Sequence, residues 1–345
     1  LINLFYYLWP ELLNFEFISY MTTPIVKVTL KKTVKPFYTL TDYENWKKKT
    51  SNSNKYSIKY YKGLGTSTSK EAKEYFTNIL QNQINYTFNP EENSSDTQAL
   101  KLAFTASKKV NTDERKKWIT QKLINKPKVD YTIKTVSINN FVNNELVQFS
   151  IYDNQRSIPH VLDGFKISQR KILYSCLKRK LFIKNDGSGE IKVVQLAGYV
   201  SEHSGYHHGE ASLQGAIVNM AQNFVGAGNA NILYPSGQFG TRVNGKDSAS
   251  PRYIFTYLNN WVKDVFNETD NLLLNYLDDD GTSIEPDFYI PVIPMLLVNG
   301  SEGIGTGWST NIPCFNPKDI VHNLKKLIDD EESNINIMHP WYKGF

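Results

Sequence analysis

Ser168-Gln169-Arg170-Lys171-Ile172-Leu173-Tyr174-Ser175-Cys176-Leu177-Lys178-Arg179-Lys180 is the stretch on which the reading of the fold turns. Ile172, Leu173, Cys176 and Leu177 share one face at helical spacing. Ser168 is placed to cap the first turn, and Arg170, Lys171, Lys178 and Arg179 lie outside the apolar face. A second helix is expected from about Gly209 to Phe224, with Leu213, Ile217, Met220 and Phe224 on one stripe. Two short amphipathic helices with basic flanks, followed by Gly-rich strands, predict a winged helix-turn-helix. Helix pairs are common, so this pattern speaks to architecture before activity.

Working outward, residues 1 to about 90 read as a mixed α/β unit. The apolar start, Leu1 to Phe17, is expected to be a buried helix. Glu11, Asn14, Glu16 and Pro10 interrupt it and no basic segment precedes it, which argues against a signal peptide or a membrane span. A strand over Ile25–Leu30, a turn into a helix over Tyr38–Trp46 and a strand over Tyr56–Tyr61 follow. The strand runs into Lys62-Gly63-Leu64-Gly65-Thr66-Ser67, with Ser69 as N-cap of a helix over Lys70–Leu80. That order of strand, Gly-containing turn and capped helix places Lys62 and free backbone N–H groups where they could meet an anion. Gln81 to Asp96 is polar and Asn-rich and reads as a loop; Leu100 to Val129 is basic and reads as helical. A second domain is expected from near Tyr131, with a short helix over Phe141–Val147. From Asn271 the chain turns acidic and extended, ending in an amphipathic helix over Pro317–Asp330.

With 345 residues and 40% hydrophobic residues, two or three domains with real cores are expected. The net charge of +5 is unevenly spread. Residues 101–135 carry ten Lys/Arg against three Asp/Glu, and residues 156–192 nine against three, whereas residues 261–345 carry five against fourteen. Basic regions of this kind suit a polyanion, although many Lys-rich surfaces are merely solvated. The two cysteines, Cys176 and Cys314, lie far apart, which points to a reducing compartment and excludes a disulfide scaffold or zinc spacing. Both ends of the chain look cut.

Two groups of residues could carry chemistry. Arg252-Tyr253 sets a phenol beside a guanidinium. A phenol with a reference pKa near ~10 needs help to attack a phosphate, and a guanidinium can bind the phosphate bidentately. With 21 tyrosines in the chain, the ordinary reading of such a dipeptide is structural. The second group is His203-Ser204-Gly205-Tyr206-His207-His208. His208, at the start of the second helix, could hydrogen-bond a non-bridging phosphate oxygen or take a proton. Metal binding and a purely structural role are the alternatives.

Tyr60-Tyr61-Lys62-Gly63-Leu64-Gly65-Thr66-Ser67, Tyr206-His207-His208-Gly209-Glu210, Gly237-Gln238-Phe239-Gly240-Thr241-Arg242, Lys246-Asp247-Ser248-Ala249-Ser250-Pro251-Arg252-Tyr253-Ile254-Phe255-Thr256 and Glu302-Gly303-Ile304-Gly305-Thr306-Gly307-Trp308 occur in this order. Together they resemble eukaryotic-type DNA topoisomerase II, a type IIA topoisomerase, over nearly the whole chain, least between Gln81 and Asp96. The resemblance implies an α/β plus α+β multidomain fold. Residues 1–90 would be the C-terminal part of a TOPRIM domain and 91–135 a basic helical linker. Residues 136–265 would be a winged-helix DNA-cleavage domain, and 266–345 its end and the start of a tower domain. It implies Tyr253 as cleavage nucleophile, Arg252 as its catalytic neighbour and His208 in the same site. Lys62, Arg156, Lys166 and Lys171 would meet DNA phosphates, and Ile304 would wedge between base pairs. The bland alternative for Ile304 is a tight apolar turn among glycines.

The resemblance also implies Mg²⁺ and ATP as cofactors, double-stranded DNA as substrate, a homodimer, no membrane and a nuclear location. A departure matters here. The family's acidic Glu-Gly-Asp-Ser and Asp-x-Asp-x-Asp metal motifs do not occur in this sequence, and Mg²⁺ and ATP are expected to be held mainly by parts outside it. By itself the chain is therefore expected to bind duplex DNA and cleave it poorly or not at all. A winged-helix protein that kept the fold and lost catalysis is the main alternative. A tyrosine recombinase is disfavoured, because its several activating arginines stand in a different order.

Overall fold

A computed structural model describes residues 1–50, 53–61, 63–105, 110–125, 127–279, 281–332 and 334–345. The chain forms two compact units, Leu1–Ile151 and Tyr152–Phe345, and the boundary falls inside helix Val147–Ser157.

In the first unit, strand Val26–Leu30 pairs antiparallel with both Thr33–Phe37 and Ser57–Tyr60. Its period of two decides what each face meets. Val26 and Val28 are fully buried under Phe37 and Tyr43, the latter on helix Leu40–Lys49. Lys27 points the other way and is also buried, with its ammonium over the rings of Tyr61 and Tyr75 and within 4 Å of Glu71 and Glu74. A second sheet pairs Ser19–Met21 antiparallel and Thr135–Ser137 parallel with Gln83–Thr87. Helices Ser95–Phe104 and Val110–Ile124 account for the basic segment, and a continuous helical run over 138–157 replaces the short helix expected near Phe141.

Three expectations for this unit are corrected. Gln81 to Asp96 is not all loop, because Ile84 and Tyr86 alternate inward on strand Gln83–Thr87. The N-cap of the next helix is Thr68 rather than Ser69. Thr68 accepts the Glu71 N–H while Glu71 takes the Thr68 N–H, a reciprocal box that Ser69 could not form with Ala72. The apolar start is helical over Ile2–Leu8 and Pro10–Leu13 but mostly exposed, with only Ile2 and Leu13 buried. Pro10 starts a second short helix, so the apolar residues do not line up on one long face.

In the second unit, helices Ile167–Arg179, Val193–Ser204 and Glu210–Ala221 pack around Ile172, Leu173, Leu196, Val200, Leu213 and Ile217. A three-stranded antiparallel sheet, Ile191–Lys192, Phe255–Leu258 and Leu233–Ser236 with the middle one central, closes this core. Helix Val193–Ser204 was not expected from the sequence, although Val193, Leu196, Ala197 and Val200 form a helical stripe. Two hairpins follow, Tyr276–Asp279 with Thr282–Pro286 and Ser301–Ile304 with Ser309–Ile312. The last helix, Pro317–Asp329, is capped by Asn316 with Pro317 in its first turn.

The first of these helices differs from its sequence reading at two points. Its N-cap is Lys166, whose N–H goes to the Gln169 side chain, so Ser168 lies within the helix. Arg170 and Lys171, expected outside the apolar face, are 5% and 8% exposed. Burial of a cation is tolerated because each has a carboxylate. Arg170 makes a two-pronged contact with the fully buried Asp163 at 2.7 and 3.0 Å, and Lys171 meets Glu285 at 2.8 Å. Asp163 also accepts the N–H groups of Phe165 and Tyr289. Asp163→Ala should therefore lower unfolding free energy in urea by roughly 3–5 kcal/mol, the usual result of stranding one buried charge. A loss under about 1 kcal/mol would show that the guanidinium finds water instead.

Candidate nucleic-acid interface

Tyr253 is presented by a braced turn. Its N–H reaches back to the Ser250 carbonyl at 2.9 Å. Val193 and Val194, at the start of their helix, donate to the carbonyls of Ile254 and Pro251 at 3.1 Å each. Ile254 is the anchor, 2% exposed in the core. Gly237 leaves room for it: at φ +126 a Cβ there would stand 2.9 Å from the Ile254 side chain. Anchored on both sides, the turn leaves Tyr253 75% exposed and Arg252 exposed beside it. The preceding loop is tied across its width. Gln222 donates to the carbonyls of Phe239 and Gly245 at 2.8 and 2.7 Å, and Thr241 donates twice to Asp247, holding that carboxyl below its usual range.

A groove of about 610 Å³ gathers four of the residues expected to meet phosphate. Arg156 comes from the end of helix Val147–Ser157, Lys166 and Lys171 from helix Ile167–Arg179 and its cap, and His208 from the residue before N-cap Gly209. Arg156 and His208 are exposed and Lys166 is half-buried. Lys171 lies deeper, its ammonium held by Glu285 and by the Ser204 carbonyl. The groove also carries acid. Asp278 and Asp279 line it, and Asp279 pairs with His207 at 2.9 Å. That approach needs Gly205 at φ +58, where a Cβ would stand 2.2 Å from the carboxylate.

His208 Nε2 lies 3.2 Å from the Tyr152 hydroxyl, and its ring meets Tyr206 edge-on at 5.4 Å. Partial burial pushes its pKa down, and the positive charge of Arg156, His207 and Lys171 pushes it further the same way. A neutral imidazole can accept a proton or a hydrogen bond, which an imidazolium cannot.

Ile304 ends the strand Ser301–Ile304 at a hairpin tip and is 76% exposed. The tip is a tight glycine turn, closed by Gly305 N–H to Trp308 O at 2.9 Å, yet the isoleucine itself points outward rather than packing in it. Gly303 and Gly305 press on helix Val147–Ser157, where a Cβ would lie 2.3 Å from Ser157 O or 2.2 Å from Asn154 Oδ1. Asn154 and Asp153 of that helix bind Thr306 at 3.1 and 3.0 Å and fix the tip.

Arg156, Lys166, Lys171 and His208 are thus brought together, while the Arg252-Tyr253 turn and the Ile304 hairpin tip are exposed and outside that groove's lining. Lys62 lies outside the described residues. Tyr152, His207 and Asp279 were missed by sequence reasoning. Only the Tyr206–Glu210 cluster hinted at His207, and nothing local signals partners 56 and 72 residues away. Among the described residues, no group of three or more His, Cys, Asp or Glu is placed to hold a metal ion. The divalent-cation site implied by the resemblance is not met by these side chains, and no step is derived through it. No helix among the described residues is long and apolar enough to cross a membrane.

A family model for the A-type subunit of DNA gyrase/topoisomerase IV matches residues 156–345, and one for the C-terminal associated domain of TOPRIM matches residues 21–154. DNA topoisomerase 2 of Bombyx mori is 50% identical over the whole chain, and DNA topoisomerase 2-alpha of Homo sapiens 49%. The chain spans 22% of the length of each. The crystal structure of the Plasmodium falciparum topoisomerase II DNA-binding, cleavage and re-ligation domain matches with a TM-score of 0.82 at 46% identity, covering 100% of this chain and 45% of that one.

The environment of His208 has a measurable consequence. By NMR its ring should titrate below the ordinary histidine value of about 6.5, and Arg156→Ala should raise the midpoint only part of the way, because burial is the larger cause. Since the unfolded chain then takes the proton first, His208 contributes a loss of stability as pH falls through that ordinary value. A midpoint at or above it would contradict this placement.

Proposed function

The chain belongs to the DNA gyrase/topoisomerase IV family of A-type subunits, and from that premise we propose that it is part of a type II DNA topoisomerase core that holds duplex DNA and breaks it through Tyr253. The observation that carries the reading is the braced turn that exposes the Tyr253 phenol, with Arg252 exposed one residue before it. In this reading the phenol oxygen attacks phosphorus in line. A tyrosine O–P bond to the 5′-phosphate forms as the phenol gives up its proton to solvent, the bond to the 3′-oxygen breaks, and that oxygen takes a proton from solvent and leaves as a hydroxyl. Arg252 stabilises the charge on the equatorial oxygens. Religation is the reverse, with the 3′-hydroxyl attacking the phosphotyrosine and the phenol regained. One phosphoester is exchanged for another, so the chemistry itself consumes no ATP.

Arg156, Lys166 and His208 hold backbone phosphates along the groove in this proposal, and Lys171 joins them only if phosphate displaces Glu285 from its ammonium. Lys62 serves the same purpose from the first unit. Ile304, on its fixed exposed tip, enters a base step and bends the duplex. We assign the three helices and small sheet within 136–265 to a winged-helix domain and residues 266–345 to its end and a tower entry. Residues 1–90 are assigned to the C-terminal part of a TOPRIM domain and 91–135 to a basic linker. Two copies, each cutting one strand, a nuclear location, and use of Mg²⁺ and ATP are proposed for the longer protein.

In a longer enzyme that contains this chain, Tyr253→Phe should abolish detergent-trapped covalent DNA adducts while duplex affinity stays within about twofold, since a hydroxyl is lost but no phosphate cation. Adducts that persist would remove Tyr253 as nucleophile. Arg252→Ala should slow cleavage by about 10²–10³ while weakening affinity far less; equal losses would reduce it to a DNA contact. Lys166→Ala should weaken duplex binding alike for all sequences and flatten the plot of log affinity against log salt by about one. An unchanged slope would take Lys166 off the phosphate path.

A further inference from the structure

A cavity of about 880 Å³ in the second unit shares no lining residue with the basic groove. Its inner wall is aromatic and rigid. Phe266 is 5% exposed, stacked on Phe165 at 5.7 Å and edge-on to the buried Tyr289 at 5.8 Å, and the half-buried Tyr174 and Tyr276 also line the cavity, their rings tilted to each other at 6.3 Å. Its rim is cationic, with Lys178, Lys180, Lys184 and Lys263 exposed around it. Among the described residues none of the four has a carboxylate oxygen within 4.0 Å. Two of them lean on rings instead: the Lys263 ammonium lies 4.0 Å from the Phe182 ring centre and that of Lys178 5.4 Å from Tyr174. A cation over a ring face keeps most of its N–H donors free for an anion.

Lys180 sharpens the point. It caps helix Ile167–Arg179 in the left-handed region at φ +53, a position that favours glycine. The turn is pinned immediately afterwards, where Leu258 N–H donates to Leu181 O at 2.7 Å and Phe182 bridges to Leu258. A lysine is thus held at the rim in a conformation its side chain makes unfavourable. The rim also carries Glu268 and Asp270, which still leave a positive excess of two for an anion to meet.

We infer that this cavity is a binding site for a small planar aromatic monoanion, whose ring lies against the half-buried Tyr174, Phe182 and Tyr276 and whose charge meets Lys178 and Lys263. A volume of this size, an apolar floor and a few convergent charges are what such ligands use.

The test is calorimetry with 1-naphthalenesulfonate on the whole chain. Saturable one-to-one binding is expected. Affinity should fall at least tenfold in the Lys178→Glu/Lys263→Glu double variant and for the uncharged analogue 1-naphthalenemethanol. The charge-matched Lys31→Glu/Lys32→Glu variant, in the other unit, should bind as the parent does. Absence of saturation, equal loss in both double variants, or no loss in Lys178→Glu/Lys263→Glu would each overturn the site. Circular dichroism of both variants checks that the exposed substitutions leave the fold unchanged.

Discussion

Arg170 and Lys171 are neighbouring cations on one helix, both buried, and the second unit is arranged around that fact. Desolvating two charges would cost several kcal/mol each unless carboxylates came with them. One comes from nearby and one from afar, Asp163 from the loop before the helix and Glu285 from a strand 114 residues further on. Asp163 also takes the Tyr289 N–H, so the segment after that strand is held at a second point. Because Glu285 is fixed, its hairpin is fixed, and Asp278 and Asp279 become part of the groove that holds Arg156, Lys166 and His208.

This arrangement has a functional consequence. The groove is not simply basic, since its carboxylates already neutralise part of its charge, with Asp279 on His207 and Glu285 on Lys171. The nucleophile candidate follows a different logic. Tyr253 has almost no packing of its own and is positioned by what lies on either side, Ile254 in the core and the backbone carbonyls held by Val193 and Val194. Ile304 is placed in the same way, by glycines that let its hairpin press against helix Val147–Ser157. An exposed side chain on a turn braced in this way retains its reach and would lose little conformational freedom on engaging a partner.

Much of the fold was legible locally. The apolar stripes of Ile172, Leu173 and Cys176 and of Leu213, Ile217 and Met220 mark helices because 3.6-residue spacing survives in any context. Strand Val26–Leu30 and the last helix, with Asn316 and Pro317 at its start, were equally plain. Strand Gln83–Thr87 was not, because its polar residues outnumber the two that turn inward. Thr68 and Ser69 are equally good caps by residue type, and the choice falls on Thr68 because a cap depends on the residue three positions on, here Glu71.

The sequence by itself determined the chemistry on offer: a phenol beside a guanidinium, histidines before a helix, and ordered motifs that name a family. These are covalent facts, independent of how the chain packs. Only the tertiary structure decided which groups are available. It buried Lys171 against Glu285, left Tyr253 and Ile304 in solvent, and brought Tyr152 to His208 and Asp279 to His207. Burial and pairing between residues tens of positions apart are set by the packing of whole elements, and no local pattern encodes them.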